Sequence, residues 1–143
     1  MRISALLEQK GTEVSTITGD ASIDDAVTEL SRHQIGALVV SPGDGSIEGI
    51  LSERDIVRRL HDQHGALLGQ PVSSIMSTAV TTCSPEDDTE ALMAVMTDRR
   101  IRHIPVVSDG RLCGIVSIGD IVKIRIRELE KDRNELVDYI RAR

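Results

Sequence analysis

The stretch Gly49–Val57 reads GILSERDIV, and Gly114–Val122 reads GIVSIGDIV. Each opens on an apolar run with glycine at its head. Each then sets a serine three residues ahead of an aspartate and continues into apolar residues. Ser-x-x-Asp before a helical pattern is a helix-start signal, because the serine oxygen accepts from a free backbone N–H and the acid reaches back. The second occurrence lies 65 residues after the first.

Working outward, the repetition extends over most of the chain. An offset of 66 puts Val14 on Val80, Thr16 on Thr82, Ile35 on Ile101 and Val40 on Val106. One residue is lost in the loop between, and the two quoted phrases then coincide. Each copy begins with a short alternating segment, EVSTIT or AVTTCS, which reads as a strand. A helix follows. In the first copy it spans Ser22 to His33, with Ile23, Ala26, Val27 and Leu30 on one face. In the second it spans Glu86 to Arg99, with Pro85 ahead and Leu92, Met93, Val95 and Met96 facing in. ALVVS and HIPVVS read as buried strands. SPGDGS and SDG are turns that lead into the return strands EGIL and CGIV, and a second helix follows each.

The fold class is therefore α/β: two tandem β-α-β-β-α repeats with pseudo-twofold symmetry, plus a long C-terminal helix. Alone, each repeat leaves one apolar sheet face uncovered, and two repeats cover each other. The segments divide as 1–60, a lead-in helix and the first repeat; 61–70, a connector; 71–125, a second lead-in and the second repeat; and 126–143, an extension of the last helix. In that helix Val122, Ile126, Leu129, Leu136 and Ile140 fall at steps of four, three, seven and four. Such a seam packs either on its own domain or on a second copy.

Composition bounds the function. The chain has 143 residues and a net charge of −6. It holds one Tyr and neither Phe nor Trp. An acidic chain without stacking aromatics is a poor fit to nucleic acid. No apolar run has the length of a signal peptide or a membrane span, so a cytoplasmic protein is expected. Cys83 and Cys113 read as buried free thiols, and the histidines have no metal-ligand spacing. Catalytic motifs for nucleophilic, zinc or P-loop chemistry are absent, so an enzyme is not expected.

Two readings of Ser-x-x-Asp stay open at this stage. One is a cap and nothing more. The other is a binding site: a helix N-terminus attracts phosphate, the serine donates to it, and the aspartate accepts from a ribose diol. The tandem, the doubled G-I-[LV]-S-x-x-D-I-V phrase and RIRHIPVV together resemble a pair of cystathionine-β-synthase (CBS) domains, over about residues 12–125. The resemblance implies two clefts between the copies that take adenine nucleotides. One would use Ser52, Arg54 and Asp55 with Arg102 and His103. The other would use Ser117 and Asp120 with Thr12, Ile35 and Gly36.

The first cleft carries the cations, while the second has Gly119 opposite Arg54 and Gly36 opposite Arg102. The first should therefore hold phosphates more tightly. Plainer roles are a solvated Arg102, a hairpin His103 and an Arg54 within a surface charge run. The implied function is a regulatory module without a required cofactor that binds AMP, ADP, ATP, NAD(H) or S-adenosylmethionine, forms a homodimer and acts on an unknown protein target. The alternative is a ligand-independent dimeric scaffold.

Overall fold

The computed structural model describes residues 1–142. Helix α1 (Ile3–Lys10) leads into β1 (Thr16–Ile17), α2 (Ile23–His33), β2 (Ala37–Val40), β3 (Gly49–Ser52) and α3 (Glu53–Gln63). The second copy supplies α4 (Thr89–Arg99), β4 (His103–Ser108), β5 (Arg111–Ser117) and α5 (Ile118–Arg141). The first sheet has the order β1-β2-β3, with β1 parallel and β3 antiparallel to β2. β4 and β5 form an antiparallel hairpin. Its turn has Asp109 and Gly110 at φ 51° and 74°, the left-handed pair that a two-residue hairpin of this twist requires.

The strand text at the head of each copy is longer than the strands it forms. EVSTIT contributes only Thr16 and Ile17, and AVTTCS only a single parallel bridge from Cys83 to Val106. The α4 helix begins at Thr89, three residues after the sequence pattern places it, with Asp88 as its cap. The cause is tertiary. The carbonyls of Pro85 and Asp87 accept from the N–H groups of Ser4 and Ile3 at 2.9 and 2.8 Å. The segment 85–88 is thereby held as a turn that satisfies the start of α1. Val27 lies exposed rather than facing in, whereas Ile23, Ala26 and Leu30 are buried. In α4, Leu92 and Met96 are buried, and Met93 and Val95 are partly so.

Two aliphatic cores result, and each copy borrows a segment from outside itself. Ile3, Leu6 and Leu7 of α1 pack with Leu92, Met96, Ile104, Val106, Val116 and Ile121 of the second copy. Val72 and Ile75, which precede the second copy, pack with Ile23, Leu30, Leu38, Leu51 and Ile56 of the first. The segment 61–70 is no plain solvated link: α3 runs to Gln63, a 3-10 turn covers His64–Gly69, and Leu67 is fully buried in the first core. Across the middle, Ile50 and Ser77 exchange both backbone hydrogen bonds, at 2.9 and 3.0 Å. This bridge sews the head of the second copy to the first sheet.

Candidate functional site in the clefts between the copies

Both Ser-x-x-Asp phrases fold as complete capping boxes. Ser52 Oγ accepts from Asp55 N–H at 3.2 Å, and an Asp55 carboxylate oxygen accepts from Ser52 N–H at 2.9 Å. Ser117 and Asp120 repeat this at 3.2 and 2.9 Å. In each copy the strand thus ends on the residue that starts the helix, which aims the helix N-terminus into the gap between the copies. The first N–H of α3 goes to the Gly36 carbonyl and that of α5 to the Arg102 carbonyl, both at 2.9 Å. The paired phrases therefore face matching loops.

The larger cleft, about 410 Å³, is lined by Ile50, Ser52, Arg54, Asp55 and Arg58 from the first copy. Facing them are Ser77, Ala79, Val80 and Thr81, then Arg99 through His103. Ser52, Arg54, Asp55, Arg102 and His103, expected together from the sequence, do line one cavity. The expectation missed Arg58, Arg99 and Arg100. The signal was present in RRIRH, but a basic run at a helix end reads equally well as a solvated cap. The structure turns it inward because Arg100 ends α4 in the left-handed conformation, at φ 55°.

Five arginines thus line this cleft beside one carboxylate, Asp55. Arg102 meets Glu53 at 3.6 Å, and Arg99 donates to Thr81 Oγ1 at 3.1 Å. An adjoining hollow shares Arg54, Arg100 and Arg102 and has Met96, Ile101 and Ile118 among its apolar wall.

The second cleft, about 340 Å³, is lined by Ser117, Asp120 and Ile115 together with Ile35, Gly36 and Ala37. Thr12 does not line it; Lys10 and Glu13 through Ser15 do. Gln34, Gly36 and Gly119 fall where the first cleft has Arg100, Arg102 and Arg54. The cleft is nevertheless not without a cation. Lys10 Nζ donates to Asp120 Oδ2 and to the Ile115 carbonyl, each at 2.6 Å. Burial pushes the Asp120 carboxyl up, but the Lys10 ammonium and the Ser117 donors outweigh it and hold it below its ordinary value.

His103 reaches both clefts. Its ring packs where a Cβ on Gly36 would lie only 3.2 Å from His103 Cε1, so a side chain at position 36 would crowd it. Burial, then Arg102, lower the His103 pKa, with Glu53 partly opposing. Of the two cysteines, Cys83 is buried, with burial raising its pKa to about 12, while Cys113 is only partly buried.

Among the described residues no group of three or more His, Cys, Asp or Glu side chains is placed to hold a metal, and no helix is long and apolar enough to cross a membrane.

The comparisons with known proteins agree with this architecture. The sequence profile of the CBS domain matches twice, over residues 11–62 and 72–127. The chain belongs to the CBS-domain family. Among CBS relatives, "CBS domain-containing protein CBSX3, mitochondrial" of Arabidopsis thaliana is 36% identical over 98% of this chain and 72% of its own length. "CBS domain-containing protein YhcV" of Bacillus subtilis is 32% identical over 83% of this chain and 84% of its own. The crystal structure of the CBS-domain containing protein ATU1752 from Agrobacterium tumefaciens superimposes with a TM-score of 0.85 at 45% identity. It covers 87% of this chain and 99% of that one. The pair of CBS domains and the long terminal helix are thus the architecture of the chain.

Proposed function

We propose that this CBS pair is a regulatory module that binds an adenine nucleotide in the arginine-lined cleft between its halves. One observation carries the reading: in a chain of net charge −6, five arginines line a single cavity with the capped N-terminus of α3. The positive end of the helix and the guanidinium groups favour phosphate. Asp55, one turn into the helix, offers carboxylate oxygens to a ribose diol. The ligand would touch both halves, so its affinity depends on how they sit, and that dependence is what lets binding shift an equilibrium between arrangements. The output would reach a protein target through a homodimer formed along the exposed face of α5.

A scaffold whose serines only cap helices is the competing reading. It is favoured by the fact that both capping boxes are complete without any ligand. Thermal melting separates the two. AMP, ADP, ATP, NADH and S-adenosylmethionine are each added at increasing concentration. A true ligand at a hundredfold excess over its Kd stabilises by about 2.7 kcal/mol, so at least one nucleotide raises Tm progressively. A Tm unmoved by all five compounds favours the scaffold.

A further inference from the structure

The two halves treat equivalent backbone positions differently. In the first half, the Ile50 carbonyl accepts from Ser77 N–H at 2.9 Å. Met76, the residue before Ser77, packs its side chain against the first core. Among the described residues, the Asp55 carboxylate accepts from its capping partner Ser52 alone. In the second half, the repeat offset puts Gly11 in the place of Ser77 and Lys10 in the place of Met76. Gly11 sits at φ +100° and forms no bridge to Ile115 among the described residues. Lys10 fills the gap: its ammonium, rather than a backbone N–H, reaches the Ile115 carbonyl, and it takes the Asp120 carboxylate at the same distance of 2.6 Å.

These contacts span 105 and 110 residues of sequence, and the pair is only partly open to solvent, with side-chain exposures of 31% and 24%. The remaining charge on the cleft wall is Glu13, which repels phosphate.

We propose that Lys10 latches the second cleft: its ammonium caps Asp120 Oδ2, the oxygen that also accepts from Ser117 N–H, so a ribose diol must displace the lysine to gain both carboxylate oxygens, and one cleft per chain remains open. The proposal rests on the binding reading above, since it takes the Ser-x-x-Asp aspartate to be the diol acceptor. Because Glu13 and Asp120 disfavour a phosphate, the ligand that an unlatched cleft would take is an uncharged nucleoside.

The test is equilibrium dialysis with labelled adenosine, in the presence of saturating ATP to occupy the first cleft. The proteins are wild type, Lys10→Met, Lys10→Arg and Lys10→Met combined with Asp120→Asn. Lys10→Met installs the residue found at the equivalent place in the first half. Circular dichroism verifies that each is folded. The latch predicts one adenosine bound to Lys10→Met, at least tenfold tighter than any binding to wild type. Lys10→Arg behaves as wild type, and the double variant loses the gain.

Equal binding to wild type and Lys10→Met overturns the latch, as does no binding to either. If ATP fails to bind wild type in a separate titration, the reading of the first cleft falls. The adenosine comparison without ATP still decides the latch.

Discussion

His103 stands between the two clefts, and its protonation should report on what enters them. Burial and the neighbouring Arg102 lower its pKa, followed by Glu53 in the opposite sense and weaker effects from Lys10 and Asp120. The ring is therefore neutral near pH 7. A phosphate entering beside Arg102 adds negative charge and raises that pKa, so binding takes up a fraction of a proton. Affinity should tighten as pH falls from about 7 toward 6. Calorimetry in buffers of different ionisation enthalpy measures the uptake, and His103→Gln should abolish it; equal apparent enthalpies in all buffers would contradict it. The linkage for the empty protein has the opposite benefit. A histidine with a depressed folded pKa contributes stability above its unfolded value and loses it as pH falls through the folded one.

Arg100 shows a second conflict at the same scale. It ends α4 at φ 55°, where glycine is favoured. Gln34 ends α2 at φ 53°, so the bend belongs to the repeat rather than to the arginine. Arg100→Gly should raise stability by about 1 kcal/mol and weaken ATP binding. Denaturant unfolding and calorimetry read the two effects. A variant that gains stability and keeps full affinity would remove Arg100 from the site.

Among the elements, α5 is the one with unspent surface. Ile121 and Ile124 anchor its first turns in the second core. Beyond them Ile126, Leu129, Leu136 and Ile140 are 52 to 62% exposed. The seam therefore does not pack on its own domain, which was one of the two readings its spacing allowed. A solitary amphipathic helix extension is marginal in water, so a second copy along this face is the expected partner. Leu129→Lys with Leu136→Lys should convert a dimer into a monomer while ATP binding survives. Sedimentation equilibrium tests this, and a wild-type monomer, or a variant of unchanged mass, would refute it.

The sequence was most informative where local rules act alone. The serine at each strand end, the aspartate three residues on and the seam of α5 mark helix boundaries to within a residue, because capping and periodicity are short-range. Less legible was anything decided by tertiary choice. Thr89 rather than Glu86 starts α4 because α1 uses the carbonyls of the preceding turn. Arg99 and Arg100 look like an ordinary basic helix end until the left-handed residue turns them into the cleft. Thr12, chosen as a cleft residue, is displaced by Lys10 and Glu13 through Ser15. No pattern in EQKGTE announces that Lys10 will reach a partner 110 residues away.

For the molecule as a whole, duplication explains the economy of the design and its asymmetry. Two copies of one unit keep separate cores and exchange short segments, Ile3–Leu7 to one core and Val72–Ile75 to the other. The symmetry fixes two clefts of similar size, about 410 and 340 Å³. Substitutions at matching places then make them chemically unlike: arginines at 54, 100 and 102 against Gly119, Gln34 and Gly36. One cleft therefore gathers the arginines, while the other sets Lys10 on Asp120.

The most direct measurement is a calorimetric titration of ATP into wild type and Arg102→Ala. A guanidinium–phosphate hydrogen bond contributes about 1.5–3 kcal/mol, so the account predicts saturable binding to wild type that weakens roughly tenfold or more in Arg102→Ala. Equal affinity in the two proteins, or no heat in either, would contradict it.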